Sequence, residues 1–425
     1  MTIVLDGRTK GLAAGAAGVA LADVGRAGWN VLAEDLPLPL ALLKDSALRH
    51  NSAWMRRFLA ATGVALAPHG KTTMSPQLFA RQLADGAWGI TVATVQQLRV
   101  CREHGIRRVL LANQLVGRQA VGYVLDELAR DPAFEFYALV DSLAGVELLA
   151  AAARARGAGR RLRLLVECGV DGGRTGCRTL GAALAVARSV AAARDVLALA
   201  GVEGYEGSVP GATPDEQERN IAGFVAFMAE VAAACADAGL FDAEPVLLSA
   251  GGSAFFDLAA TLPQTLGGRP AQVLLRSGCY LTHDTDVYRR AFERMRDRTS
   301  AVAALGEGLR EALEVWAYVQ STPEPGLAIL TMGKRDVSHD LALPFPRWHF
   351  RAGSGGPPAA VPADWKIAAL NDQHAYLRTA GGPALRVGDM IGCAISHPCT
   401  TFDKWRFLPI VDDRYGVVDA VVTCF

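Results

Sequence analysis

Three groups of residues in this chain have the types and spacing that chemistry needs. The first is a lysine. Arginine supplies nearly all of the positive charge, and Lys71 is the only lysine between Lys44 and Lys334. It sits in Ala67-Pro68-His69-Gly70-Lys71-Thr72-Thr73, just after a short apolar run. An amine on a flexible stem can form a Schiff base, which a guanidinium cannot. His69, two residues away, could tune that amine by charge or hydrogen bonding. The second group is a set of glycine-rich segments: Gly172-Gly173-Arg174-Thr175-Gly176, Tyr205-Glu206-Gly207 and Gly251-Gly252-Ser253. Two glycines let backbone N–H groups approach an anion and a serine adds a hydroxyl donor, so Gly251, Gly252 and Ser253 read as a phosphate cradle. Arg174 could hold a phenolate or a carboxylate. The third group is Ser396-His397-Pro398-Cys399-Thr400. His397 and Cys399, at i and i+2, can point to one side of an extended chain and offer nitrogen and sulfur suited to zinc.

These groups need elements to position them. Eight short β-rich runs follow one another, each trailed by a Gly or polar break and an Ala/Leu/Arg-rich stretch: Val64–Ala67, Trp88–Ala93, Arg108–Ala112, Glu135–Val140, Arg161–Glu167, Leu199–Gly204, Pro245–Ser249 and Ala271–Arg276. Most are near-continuously apolar, as strands buried on both faces should be. Segments such as Leu143–Arg156, Leu180–Ala193 and Asp215–Ala238 suit helices. Eight β–α units within about 240 residues match an α/β fold of the TIM (β/α)8 barrel type. A doubly wound sheet competes, but the first strand lacks a G-x-G-x-x-G fingerprint after it. In such a barrel the chemistry lies at the strand tips. Those tips carry His69 and Lys71, Thr94, Asn113 and Gln114, Asp141 and Ser142, Glu167 to Gly176, Tyr205 to Ser208, Ser249 to Ser253, and Ser277 to Tyr280. A lysine, a phosphate cradle and the Tyr205 hydroxyl on one face describe a pyridoxal phosphate site.

After Ala301 the texture changes to short strands split by Pro/Gly turns: Glu314–Gln320, Gly326–Met332, Asp364–Asn371, Ala375–Arg378, Met390–Ala394 and Arg406–Val411. A barrel over residues 45–298 and a second, mainly antiparallel β domain over 299–425 are expected. Residues 28–44, containing Leu36-Pro37-Leu38-Pro39-Leu40, should join the β domain, and 1–27 form an N-terminal extension. With 51% apolar and 20% charged residues and zero formal net charge, the chain gives no electrostatic reason to expect nucleic acid or an anionic membrane as partner. Eight scattered cysteines without a CxxC pair suggest reduced thiols in the cytoplasm. The apolar run Gly11 to Ala22 is mostly Gly and Ala, with Asp6 ahead of it, which argues against a signal peptide. No run offers the ~20 strongly apolar residues of a transmembrane helix.

Pro68-His69-Gly70-Lys71-Thr72 resembles the cofactor-lysine motif of the D-serine dehydratase and D-threonine aldolase family, of alanine-racemase-like fold. The Gly172 to Gly176, Tyr205 to Gly207 and Gly251 to Ser253 segments resemble its later motifs in the same order. Arg276-Ser277-Gly278-Cys279-Tyr280 is similar to its Arg-Pro-Gly-x-Tyr segment, with Ser277 in place of proline. The resemblance covers roughly residues 30 to 425. It implies a pyridoxal phosphate enzyme, usually a homodimer, in which Lys71 carries the cofactor and takes the Cα proton. His69, Gln114, Arg174, Tyr205, Gly251, Gly252, Ser253 and Tyr280 would surround the cofactor. The pair His397 and Cys399 resembles the His-x-Cys zinc site of D-serine dehydratases, where D-threonine aldolases carry His-x-Asp. His374 could assist this pair, but as a single histidine it reads rather as structural or as a support behind the ligands. In alanine racemases an arginine near the end of strand seven meets the ring nitrogen; Ser249 and Ala250 stand here instead, so a ring nitrogen without a cationic partner is expected. The implied substrate is a small 3-hydroxy-D-amino acid, with D-serine going to pyruvate and ammonia. The rivals are retro-aldol cleavage of the D-threonine aldolase type, a racemase with Tyr280 or Tyr318 as second base, and a carrier of pyridoxal phosphate without catalysis.

Overall fold

The computed structural model describes residues 2–157 and 159–425. Eight parallel strands form the first sheet: Ala65–Leu66, Ile90–Val92, Arg108–Gln114, Glu135–Val140, Leu162–Cys168, Leu197–Gly204, Val246–Ala250 and Arg269–Leu275. The first strand pairs with the eighth (Leu274 with Ala65), and a parallel bridge from His69 to Thr91 joins it to the second, so the sheet curls into a barrel. The short strand Thr265–Leu266 adds to the eighth.

Alternation along the strands sorts side chains to the two faces. Ala67, Leu110, Leu139, Leu165, Ala200, Leu247 and Leu274 form a small cluster of their own, while Leu111, Val140, Val166, Leu248 and Leu275 belong to the larger core outside the barrel. Two residues beyond the inner layer, the same face presents His69, Glu167, Ser249 and Arg276. The barrel thus fills its interior with aliphatic side chains and ends in a polar floor at its C-terminal mouth.

The helices Leu143–Ala155, Leu180–Ala192 and Pro214–Asp237 lie where the apolar stretches indicated. Thr94, Ser142, Thr179 and Thr213 cap helices, each accepting a backbone N–H from three residues on. Thr94 and Ser142, which follow strands two and four, are therefore caps rather than reacting groups. Pro214–Asp237 has the length and hydropathy to cross a membrane, but it buries Ile221, Phe224, Val225, Met228 and Val231 inside the protein.

The second sheet is antiparallel apart from one pair. Leu40–Lys44 runs antiparallel to Leu313–Glu324 and parallel to Phe407–Val411, so a segment ahead of the barrel is woven into the β domain. The N-terminal residues are ordered against this domain too: Leu12, Leu21 and Val24 are buried, and Leu21–Arg26 packs on Val417–Val422. Strands Phe345–Phe350 and Val417–Val422 were not expected from the sequence. Pro346 obscures the first, and Asp419 and the exposed Val418 break the apolar pattern of the second.

Two carboxylates tie this domain together. Buried Glu314 accepts hydrogen bonds from Trp316 Nε1 (2.8 Å), Trp348 Nε1 (3.1 Å) and Tyr415 Oη (3.1 Å). Glu314→Ala would leave three donors without their acceptor, and thermal or urea unfolding should show a loss of roughly 3 kcal/mol or more. Asp389 accepts from Arg351 Nε (2.7 Å) and from the Arg386 N–H (2.9 Å), and pairs with His349 Nε2 (3.0 Å). Burial alone would raise its pKa, but these bonds win and hold it at about 2. A folded-state value below the ordinary 3.8 means that stability is present above 3.8 and lost as pH falls toward 2. Asp389→Asn should flatten that acid limb of an unfolding curve measured against pH and lower stability at pH 7.

Candidate active site

The polar floor of the barrel opens into a cavity of about 140 Å³, whose lining includes His69, Lys71, Glu167, Arg174, Glu203 and Arg276. Lys71 is carried by the single turn Gly70–Thr72 at the end of strand one. Gly70 is required there because a Cβ would lie 2.8 Å from Phe79 and 3.0 Å from Ile90. Met74, just after the turn, adopts a left-handed φ of 40°, a strained position of the kind that clusters at functional sites. The Lys71 backbone N–H donates to His69 Nδ1 (3.4 Å), so the ring nitrogen facing the turn is an acceptor. Burial, reinforced by the charges of Lys71, Arg276 and Arg174, pushes the His69 imidazole well below its usual pKa. A neutral His69 leaves the cationic role beside it to Lys71.

Strands five to eight supply three carboxyl groups and two guanidinium groups. Glu167 is held through both oxygens, by the Thr175 hydroxyl (2.6 Å) and by Gln114 Nε2. Gln114 therefore stands behind the cavity wall rather than in it. Arg276 donates to Ser249 Oγ (2.8 Å) and Gly204 O (3.0 Å) and pairs with Glu203 Oε1 at 2.6 Å. Arg276 from strand eight and Arg174 thus bring two guanidinium groups to the cavity, where Ser249 and Ala250 at the end of strand seven supply none. Arg174 stacks over the Tyr205 ring, 5.1 Å from its centroid.

The presumed cradle differs in detail. The N–H groups of Gly251 and Gly252 are occupied by the buried Glu206 carboxylate, at 3.0 and 2.5 Å. Gly252 still faces the cavity, and a Cβ there would lie 3.0 Å from Tyr205. Ser253 Oγ accepts the Cys279 N–H (3.1 Å), linking the strand-seven and strand-eight tips. Tyr280 is not in the cavity. It is 3% exposed, burial raises its pKa, and its hydroxyl is turned to Gln82. Tyr318 lies in the β domain with its hydroxyl on Glu34 (2.9 Å). Neither tyrosine is available as a second base in this cavity.

The β domain reaches the turn that carries Lys71. Cys399 Sγ is 3.5 Å from Thr72 Oγ1, in the residue next to Lys71, and 3.8 Å from Cys279 Sγ on the strand-eight tip. A hydrogen bond from the Cys279 thiol lowers the Cys399 pKa despite burial, and the same contact raises that of Cys279. His397 Nδ1 is 2.6 Å from Asp340 Oδ2. Burial would raise the Asp340 pKa, but bonds from Thr400 and His397 lower it. As a carboxylate it can only accept, so His397 Nδ1 carries the proton of this contact and Nε2 is turned away from it, the arrangement that orients metal-binding histidines. Among the described residues no cluster of three or more His, Cys, Asp or Glu donors is assembled.

Glu203 was not singled out by the sequence, and Arg276 and Cys279 were read only as part of the strand-eight motif, without a role of their own. A glutamate within the otherwise apolar strand Leu197–Gly204 is the signal that could have found the first.

Residues 44–260, just over half of the chain, match the family model for the alanine racemase N-terminal domain, and 312–411 match that for a serine dehydratase domain. A D-threonine aldolase of Arthrobacter sp is 27% identical over 410 residues, covering 95% of this chain and 96% of that protein. A 3-hydroxy-D-aspartate aldolase of Paracoccus denitrificans (strain Pd 1222) is 26% identical over 91% of each chain. A D-threo-3-hydroxyaspartate dehydratase of Delftia sp. (strain HT23) is 30% identical over 141 residues, 33% of this chain and 36% of that protein. The crystal structure of D-threonine aldolase from Filomicrobium marinum superposes with a TM-score of 0.74 at 25% identity, covering 93% of this chain and 96% of that one. The Delftia dehydratase superposes with a TM-score of 0.71 at 22% identity, covering 93% and 99%.

Proposed function

The chain belongs to the alanine racemase N-terminal domain family, with a serine dehydratase domain behind the barrel, and from that footing we propose that it is a pyridoxal phosphate enzyme that acts on 3-hydroxy-D-amino acids and converts D-serine to pyruvate and ammonia. The observation that carries the reading is the junction at the tip of strand one. There the turn bearing Lys71 meets the Cys399 sulfur of the β domain, 3.5 Å from Thr72 Oγ1. A soft metal donor thus touches the turn that carries the reacting amine.

The cavity fits a flat, anionic aldehyde. It offers an amine, two guanidinium groups, a glycine whose Cβ would crowd the space, and one buried carboxyl oxygen of Glu203 with no partner among the described residues. The Ser253 hydroxyl and Tyr205 would hold the phosphate end. His397 Nε2 and Cys399 Sγ are suited to zinc or another divalent ion, and two protein ligands leave positions open for water and substrate. Once bound, the cofactor would supply an electron-withdrawing ring to stabilise negative charge at Cα, and the ion would supply Lewis-acid chemistry.

The chain's own residues do the rest. The Lys71 amine, once free, removes the Cα proton from one face. Neutral His69 fixes the turn through its contact with the Lys71 N–H and does not compete for that proton. Arg174 and Arg276 place positive charge around a carboxylate substrate or cofactor anion, in a buried setting where each interaction is stronger than in water. Asp340 keeps His397 in one tautomer. The conversion of D-serine to pyruvate and ammonia returns the water that it first removes, so it needs no oxidant or reductant.

A second reading, retro-aldol cleavage, is favoured by the near-full-length relatives, which are aldolases. Sulfur in place of the aspartate implied for aldolases favours dehydration. The two separate by product. The cofactor-loaded protein is incubated with D-serine, D-threonine and D-3-hydroxyaspartate, with and without chelator. Oxo acid and ammonia are expected, with loss of rate on chelation; glycine and an aldehyde would establish the aldolase instead.

A further inference from the structure

Two sulfur atoms from different domains meet beside the Lys71 turn. Cys279 follows strand eight of the barrel, and Cys399 opens the short helix Cys399–Phe402 of the β domain. Their Sγ atoms lie 3.8 Å apart although 120 residues separate them in the chain. Both thiols are free. Each is held where it is by its own domain: the Cys279 N–H donates to Ser253 Oγ (3.1 Å), and the Cys399 helix is closed by the Phe402 N–H on Pro398 O (2.9 Å). Thr72 Oγ1 touches both sulfurs, at 3.5 Å from Cys399 and 3.8 Å from Cys279. The two differ in access. Cys279 is 4% exposed, whereas Cys399 is half-buried and open to a small molecule.

A disulfide bond is about 2.05 Å long, so the sulfurs need to close by roughly 1.8 Å, a displacement within reach of side-chain rotation. An accessible thiol with a second thiol behind it is the arrangement of a peroxide-sensing pair, in which the first cysteine is oxidised and the second resolves it. We propose that Cys399 and Cys279 form a reversible disulfide in response to hydrogen peroxide, which staples the β domain to the barrel beside Lys71. Cys399 Sγ attacks one peroxide oxygen, the O–O bond breaks, and the departing hydroxide leaves as water with the thiol proton. The sulfenic acid so formed is attacked by Cys279 Sγ. The S–S bond forms, the S–O bond breaks, and the second hydroxide leaves as water with the Cys279 proton. Two electrons pass in all, from the two sulfurs to one peroxide. A disulfide sulfur carries no thiolate charge, and the thiolate is the form that binds metal, so oxidation withdraws Cys399 from the donor pair with His397. That consequence rests on the metal role given to Cys399 above; the bond itself does not.

The test uses the full-length protein, reduced, freed of reductant and exposed to hydrogen peroxide. Its intact mass should fall by about 2 Da, and peptide mapping without reduction should join the Cys279 peptide to the Cys399 peptide. Dithiothreitol should reverse both changes. Cys279→Ser should form no link, leaving Cys399 to gain oxygen instead. Cys424→Ser, which removes another half-buried thiol, should link as wild type does. Should Cys279→Ser fail to fold, the wild-type peptide map answers alone. Peroxide-treated wild type with oxygen added to Cys399 and an unmodified Cys279 overturns the proposal, and so does a link from either residue to a different cysteine. Divalent metal content, measured on the same samples, should fall to background on oxidation and be restored by reduction and added zinc. An ion that stays in the linked protein overturns the withdrawal of Cys399. If the link forms but the reduced protein takes up no ion, the disulfide stands and it is the metal reading that fails.

Discussion

Lys71→Ala is expected to abolish the Schiff-base absorbance of the reconstituted protein and to lower ammonia release from D-serine by about 10⁴-fold or more, because in the proposed mechanism one side chain both carries the cofactor and moves the Cα proton. The fold should tolerate the change. Lys71 is exposed, and the turn that carries it is held by Gly70 packed against Phe79 and by backbone bonds from Thr72 to His69 and from Met74 to Gly70. Removing an exposed side chain alters stability by only about 0.5 kcal/mol. Lys71→Arg is the sharper control: it keeps the positive charge beside His69 yet cannot form a Schiff base. If charge alone mattered, Arg would rescue what Ala loses; the mechanism requires both to be inactive. Borohydride reduction followed by peptide mass analysis should place the adduct on Lys71 in wild type. Full ammonia release by Lys71→Ala would refute the central claim.

The strand tips were legible because alternation in a buried parallel strand is strict. Once Ala67, Leu165, Leu247 and Leu274 are assigned to the interior, the residues two positions on must face the mouth, and these are His69, Glu167, Ser249 and Arg276. What a tip residue does there was less legible, since that depends on partners distant in sequence. Gly251 and Gly252 have the composition of an anion cradle, yet their N–H groups are taken by Glu206, some 45 residues earlier. Tyr280 is next to cavity residues in sequence, but it turns to Gln82 and is lost to the site. Glu203 stood out as a glutamate inside an apolar strand, but its contact with Arg276, some 70 residues on, is visible only in the fold. The β domain was harder still. Its sheet is completed by Leu40–Lys44, from the far side of the barrel in sequence, and local pattern could suggest that partnership but not its register.

The other large effect is expected at the domain junction. Cys399→Ala should strip the divalent ion from the protein, measured directly as metal content, and reduce turnover of D-serine by roughly 100-fold or more. The remaining activity should no longer respond to chelator. His397→Ala should do the same, since two protein ligands leave no spare donor. Asp340→Asn should have a smaller effect, about 10-fold in metal affinity, because it removes only the group that holds the His397 proton on Nδ1, 2.6 Å away. This ordering separates a metal site from a structural one. Were Cys399 simply packing, its loss would weaken the contact with Thr72 and Cys279 and lower thermal stability, but metal content and chelator response would not change together. Cys399→Asp provides a further discrimination, since it installs the harder donor implied for aldolases. Retained metal with a rise in glycine and aldehyde at the expense of oxo acid would show that the donor atom at this position sets which bond at the substrate's β-carbon breaks. A Cys399→Ala protein that keeps both its metal and its rate would remove the junction from the chemistry altogether.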